Sequence, residues 1–265
     1  MRKSIQKSLE SDAKPIKFKH IRTIIIGTFQ IKDSGQAFWT IVTRQPFHEQ
    51  QITSYKFCYL THKVLREGHP NVIQHSMRYK HEILELGRLR GQLNQDYGPC
   101  IERYTKFIVT KLIFHQRNPD ISGDLTSKIG RSQKLRDDNF FFDFVSQMFD
   151  YLDDIIALQR ISKHFYFHDS LTIFPSIVRL STPLGHVRMM FKLHKNLSAD
   201  QLHGHRIRFE TIFKELRKFY GSSKVFECCQ NLITVPELPK NAPNFMIESD
   251  HGNYIPPGIV MLMLR

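Results

Sequence analysis

The residues best suited to chemistry gather near the start of the chain, in Lys7-Ser-Leu-Glu-Ser-Asp-Ala-Lys-Pro-Ile-Lys-Phe-Lys-His20. Lys7, Lys14, Lys17, Lys19 and His20 surround one proline, opposed only by Glu10 and Asp12. Lysine is a flexible point charge that suits phosphate. His20 titrates near neutrality and binds an anion better when protonated. If this stretch is extended, Lys17 and Lys19 face one ligand while Phe18 turns inward. If Pro15 opens a helix, the free N–H groups of its first turn add an anion site. Over residues 1–22 seven Lys and Arg (Arg2, Lys3, Lys7, Lys14, Lys17, Lys19, Arg22) stand against two acids, a net +5. Near an anionic surface each such charge is worth about 1 kcal/mol, so five give roughly 5 kcal/mol. Taken alone that is a near-millimolar interaction.

The whole chain repeats this bias. Its 265 residues carry 38 Lys and Arg against 25 Asp and Glu, a formal charge of +13. Such a balance implies a polyanionic partner, whether nucleic acid, an anionic membrane or an acidic protein. A nucleic-acid binder would interleave basic residues with exposed aromatics, whereas the Tyr and Phe residues here sit at core spacing. No nucleic acid is therefore expected as partner, although a basic nucleic-acid-binding domain and a helical protein-interaction scaffold remain the alternatives to a membrane module. Catalysis is not expected. There is no phosphate-binding glycine loop, no H-E-x-x-H and no nucleophile elbow. Asp153 and Asp154 are neighbours rather than facing carboxylates. His203-Gly-His205 and the pair His164 and His168 lack further ligands at standard spacing, so no metal and no cofactor is implied. Cys58, Cys100, Cys228 and Cys229 form no C-x-x-C pair and read as reduced thiols. No secretory leader is evident, and no apolar run approaches the length of a membrane span.

The elements that must position the basic cluster read as helices. Residues 1–11 suit a short helix with Ile5 and Leu9 on one face and Lys3 and Lys7 on another. A helix from Pro15 should run through His20 and Arg22 and stop near Gly27. Another fits Gln36 to Thr43 around the single Trp39. Phe57, Leu60 and Val64 recur at helical spacing until Gly68-His-Pro70. Asn71 with Gln74 reads as the capped start of a helix through Ile73, Met77 and Leu84 to about Leu89. Ile101, Tyr104, Ile108 and Leu112 predict the next, closed by Asn118-Pro119. Residues 119–136 read as a long inter-helix loop, with a two-domain split there as the alternative. Phe141, Val145, Met148, Leu152 and Ile155 then give the cleanest periodicity. Two helices are expected over 162–197, and Ser198 with Gln201 forms a capping box before Phe209, Ile212, Leu216 and Phe219. Phe226 and Leu232 sit on a last helix, followed by a proline-rich, extended tail. No segment alternates with period two. The expected fold is all-α, a superhelical, solenoid-like stack of about nine helices.

The spacing of the basic residues also carries a resemblance. Lys7-Ser-Leu, six residues, then Ile16-Lys-Phe-Lys-His20 resembles the phosphoinositide-binding signature of ANTH domains, with Lys7, Lys17, Lys19 and His20 on its basic positions. Ser8, Leu9 and Ile16 depart mildly at non-basic positions, and Phe18, bulkier than the usual variable residue, would either pack beneath the site or touch lipid. Phe38-Trp-Thr-Ile-Val42, Lys56 to Arg66, Gly68-His-Pro-Asn-Val72, Met148-Phe-Asp-Tyr-Leu152, Phe191-Lys-Leu-His194, Gly204-His-Arg206 and Pro243-Asn-Phe245 are similar to the huntingtin-interacting protein 1 branch of that family. The resemblance implies an ENTH/ANTH/VHS-like domain over 1–250 with an irregular, isoform-specific or truncated tail over 251–265. It implies an endocytic adaptor module that binds phosphoinositides such as phosphatidylinositol 4,5-bisphosphate, with Lys7, Lys17, Lys19 and His20 on the head group and Lys3 and Lys14 as auxiliaries. The implied location is cytoplasmic, peripheral on the plasma membrane at clathrin-coated pits and vesicles. In full-length members of the family, a coiled coil binds clathrin light chain and a C-terminal domain binds F-actin; neither region is expected in this chain.

Overall fold

The computed structural model describes residues 1–93, 97–125, 138–162, 190, 193–194, 198, 201–223 and 238–245. All regular structure among them is helical, as the missing period-two alternation requires. The elements are α1 (Arg2–Ser8), α2 (Phe18–Gln30), α3 (Ser34–Val42), α4 (Gln51–Glu67), α5 (Asn71–Ser76), a 3-10 turn (Met77–Tyr79), α6 (Lys80–Gln92), α7 (Gly98–Arg117), α8 (Asp138–Ser162) and α9 (His203–Ser223). The chain divides into two compact units. One comprises Met1–Lys128 with Ala157–Ser170, the other Ile129–Ile156 with Leu171–Arg265.

The first unit holds the basic cluster. Ile5 and Leu9, one turn apart, bury α1, which packs on α2. This leaves Lys3 and Lys7 on the outer face. Ile21, Ile24 and Thr28 form the buried stripe of α2. The helix starts three residues later than expected, and Pro15 lies in the preceding loop. It also passes through Gly27, because the missing side chain there lets Met1 pack against the backbone. Trp39 anchors α3: its indole N–H donates to Ser76 Oγ at 2.8 Å, and its ring stacks on Tyr79 at 4.2 Å.

Those contacts explain a second departure. The helix expected from Asn71 to Leu89 is broken into α5, the 3-10 turn and α6. Asn71 makes no capping bond; its Oδ1 accepts from Ser34 Oγ at 2.9 Å instead. The break turns Leu84 and Leu89 toward solvent. α6 and α7 pack closely because Gly87 and Gly91, one turn apart, lie directly against Thr105 and Glu102. α4 is buried over most of its length, and His62 Nδ1 pairs with Tyr104 Oη of α7 at 2.9 Å. Burial, with the charges of Lys111, Arg66 and Lys63, holds His62 well below its ordinary range, so it is a neutral core histidine.

In the second unit, Phe141, Val145, Met148, Leu152 and Ile155 are all buried on α8, as their spacing requires. The capping box before α9 is present: the Ser198 N–H donates to Gln201 Oε1 at 3.2 Å, and the Gln201 N–H donates to Ser198 Oγ at 3.4 Å. Phe209, Ile212, Leu216 and Phe219 line the buried face of α9. Apart from Ser162, Met190, Leu193 and His194, the segment expected to be helical over 162–197 lies outside the described residues. So do His164, His168, the last helix with Phe226 and Leu232, Cys228, Cys229 and residues 251–265.

Candidate basic site

The site is built from the end of α1, the loop over residues 9–17 and the first turn of α2. Lys17 is the last extended residue (φ −63°, ψ 127°) and Phe18 the first helical one. Lys17 and Lys19 are therefore not alternate residues of one extended strand, and Phe18 does not turn inward. Its ring is 70% exposed. The first turn of α2 carries no acidic residue and no side-chain cap, so the positive end of the helix dipole adds to the lysine charges. Phe29 is exposed as well, so the aromatics do not all sit at core positions.

His20 shows that the basic residues share one electrostatic environment. It is half-buried, and its imidazole is held below the ordinary histidine value. Burial is the main cause, followed by the charges of Lys19, Lys7 and Lys17, with Glu10 opposing. Lys7 on α1, Lys17 in the loop and Lys19 on α2 thus act together on one imidazole, while all three ammonium groups stay exposed. Lys3 is exposed one turn before Lys7 on α1. Lys14 is exposed in the loop, where its charge and that of Lys17 act on Asp12.

One basic residue of this region, Lys56 on α4, does the opposite of binding a ligand. It is 3% exposed, and its Nζ donates to the carbonyls of Glu10 at 2.9 Å and Asp12 at 2.7 Å and to Asp12 Oδ1 at 2.7 Å. Those three bonds use every donor an ammonium has. The hydrogen bond from Lys56 holds the Asp12 carboxyl below the usual carboxylate range; slight burial opposes it and the charges of Lys56, Lys14 and Lys17 reinforce it. The loop is thereby tied down at Asp12, on which the charges of Lys14 and Lys17 also act. Sequence reasoning missed this clasp. Its only signal was a lysine on the buried stripe of a predicted helix, 44 residues from its partner.

The other candidate chemistry does not assemble. His205 is half-buried with its ring 4.0 Å from Phe142 and 5.8 Å from Phe149, and burial lowers its pKa first of all. Asp150 and Asp153, rather than Asp153 and Asp154, act as a pair, and they clasp Arg208 of α9 at 2.7 Å each. Among the described residues no group of three or more His, Cys, Asp or Glu side chains is placed to hold a metal ion. Cys58 and Cys100 are free and buried, and burial pushes both thiols up, Cys100 to about 12. No described helix is long and apolar enough to cross a membrane.

These features define an all-helical domain that presents a clasped, lysine-rich loop at the start of a helix. The ANTH domain family model matches residues 1–165 and 185–254, and the chain belongs to that family. It is 33% identical to human Huntingtin-interacting protein 1 over 273 residues, 97% of this chain and 26% of that protein. It is 34% identical over 271 residues to Huntington interacting protein related 1 of Caenorhabditis elegans, 96% of this chain and 29% of that protein. The chain thus spans a little over a quarter of the curated relatives it matches. A more distant relative, 26% identical over 91% of this chain and 23% of that protein, is the endocytosis protein end4 of Schizosaccharomyces pombe. Among solved structures, the ENTH domain of epsin-2 in complex with phosphatidylinositol 4,5-bisphosphate superposes with a TM-score of 0.74 and 26% identity, covering 89% of this chain and 96% of that one. The endocytic adaptor complex AENTH shares the fold, with a TM-score of 0.65 and 20% identity over 89% of this chain and 97% of that one. Family membership sets the chain among lipid-binding adaptor domains rather than enzymes.

Proposed function

We propose that residues 1–250 form a phosphoinositide-binding endocytic adaptor module. It docks on the inner leaflet of the plasma membrane at clathrin-coated pits. Lys7, Lys17, Lys19 and His20 take the head-group phosphates, with Lys3 and Lys14 as auxiliaries. The observation that carries this reading is that Lys7 at the end of α1, Lys17 before α2 and Lys19 in its first turn are all exposed at the uncapped, acid-free start of α2; their charges also lower the His20 pKa, after burial. Exposed like charges on one surface patch favour a polyanion as partner. The likeness to the epsin-2 domain that binds phosphatidylinositol 4,5-bisphosphate supports the same ligand class. Clathrin light chain and F-actin enter the proposal only through the length of the longer relatives that this chain does not match.

The test is sedimentation with vesicles containing phosphatidylinositol 4,5-bisphosphate. The double substitution Lys17→Glu, Lys19→Glu should leave the chain in the supernatant with its helical circular dichroism intact, since both side chains are exposed. Equal sedimentation of variant and parent would defeat the site assignment. A gel shift with nucleic acid that soluble inositol phosphates fail to compete would favour the nucleic-acid alternative.

A further inference from the structure

α2 carries two apolar stripes, and only one of them is used by the core. Ile21, Ile24 and Thr28 face inward. On the opposite arc Phe18 is 70% exposed, Phe29 59% and Ile26 43%. At 3.6 residues per turn Phe18, Arg22, Ile26 and Phe29 fall within about 80° of one another and span about 16 Å of helix. Phe29 meets the His69 ring edge-on at 5.5 Å, which fixes where its ring stands on the surface. The charge along the arc is of one sign. The exposed residues of α2 are Phe18, Lys19, Arg22, Thr23, Ile26, Phe29 and Gln30, with no acid among them. α6 makes the contrast. Its exposed Leu84 and Leu89 lie among charges of both signs, Glu82, Glu85 and Arg88, and Arg88 pairs with Glu85, so that face has no excess of positive charge to offer an anionic surface.

We infer that the outer face of α2 is a second membrane contact, in which Phe18, Ile26 and Phe29 sink into the acyl boundary of an anionic leaflet while Lys19 and Arg22 stay among its phosphates. Outward aromatic and aliphatic side chains with interspersed Lys and Arg, on a helix of modest net hydrophobicity, are the make-up of an element that lies in the interface plane. Phe18 and Lys19 share the first turn of α2, so a lysine on a head group brings the neighbouring ring to the acyl boundary in the same step. Apolar transfer of the rings adds binding that the lysines alone do not supply. This inference rests on the phosphoinositide reading for the leaflet that is met, and adds a contact that the head group by itself does not make.

The experiment uses the full chain and two readouts. The only native tryptophan, Trp39, is buried and gives a constant background. Phe18→Trp therefore reports on the arc. Its emission should shift to the blue and be quenched by brominated acyl chains in vesicles of phosphatidylcholine and phosphatidylserine with phosphatidylinositol 4,5-bisphosphate. Phe18→Ser with Phe29→Ser should weaken sedimentation with those vesicles by on the order of tenfold, while binding of soluble inositol 1,4,5-trisphosphate stays at the parent value. Phe18→Ser alone, at the most exposed site, should give a smaller loss in the same direction without change in helicity. An unquenched indole in the Phe18→Trp variant together with parental sedimentation of the serine variants overturns the inference and leaves the head-group site standing. Quenching in vesicles containing phosphatidylserine alone, with no binding of the soluble head group, upholds the membrane face and overturns the phosphoinositide reading. A parent chain that binds neither vesicle type overturns both.

Discussion

His20 is the one group in the basic cluster whose charge changes near neutrality. In the free domain burial and the charges of Lys19, Lys7 and Lys17 keep it below its ordinary value of 6.5. Just below that value the unfolded chain binds a proton that the folded chain does not, so the free domain loses stability as pH falls through this window. A bound polyphosphate reverses the balance by raising the pKa of His20, so binding takes up a proton. Affinity for soluble inositol 1,4,5-trisphosphate should therefore rise on going from about pH 7.5 to about pH 5.5, by up to tenfold for each unit of pKa recovered. The phosphates of the ligand titrate near pH 6 as well, so the comparison that matters is with His20→Gln. Isotherms should show the larger gain in the parent. An identical pH dependence in both would remove His20 from the site. Phe18 teaches a different lesson at this scale. Its position in the motif was legible, but the sequence left its direction open between the space beneath the site and the lipid, because the choice depends on α2 starting at Phe18 rather than at Pro15.

At the scale of elements the loop over residues 9–17 owes its course to α4. Lys56 holds the carbonyls of Glu10 and Asp12 and the Asp12 carboxylate from below. Lys56→Met keeps the stem of the side chain and removes all three bonds. The loop should then fray, the joint action of Lys7, Lys17 and Lys19 should loosen, and vesicle affinity should fall several-fold with helicity retained. Lys56 is a positioning residue, so amide exchange over residues 9–17 should quicken in the variant even without lipid. Unchanged exchange there would refute the clasp. The helices themselves were legible wherever one face meets the core throughout. Tyr104 and Ile108 on α7, and Val145 and Leu152 on α8, are buried at the spacing the sequence displays. Legibility failed where a distant contact decides a boundary. Trp39 and Ser34 set the break after α5, Met1 lets α2 continue through Gly27, and the Lys56 clasp joins residues 44 apart. Those partners lie outside any local window, so periodicity and capping chemistry cannot report them.

At the scale of the whole molecule the charge of +13 sets how the membrane is held. Among the described residues most Lys and Arg side chains are exposed, and their charge is screened within about 8 Å at physiological salt, so it speeds encounter more than it slows escape. The five net charges of residues 1–22 give only a near-millimolar hold on their own. Head-group coordination and the outer face of α2 add to it, but a single copy should still exchange quickly. The curated relatives are more than three times as long as the part this chain matches, and the coiled coil that the resemblance implies in them would place two such domains on one membrane. A tandem of two copies joined by a flexible Gly/Ser linker makes the second contact intramolecular and should strengthen vesicle binding on the order of a hundred- to ten-thousandfold. Dissociation from vesicles containing phosphatidylinositol 4,5-bisphosphate, followed by stopped flow after dilution, reads the gain directly. Placing Lys17→Glu and Lys19→Glu in one of the two copies should return the dissociation rate to that of the single chain. A mutated tandem that still leaves slowly would mean that charge outside this site holds the membrane, and raised salt would then release it in proportion.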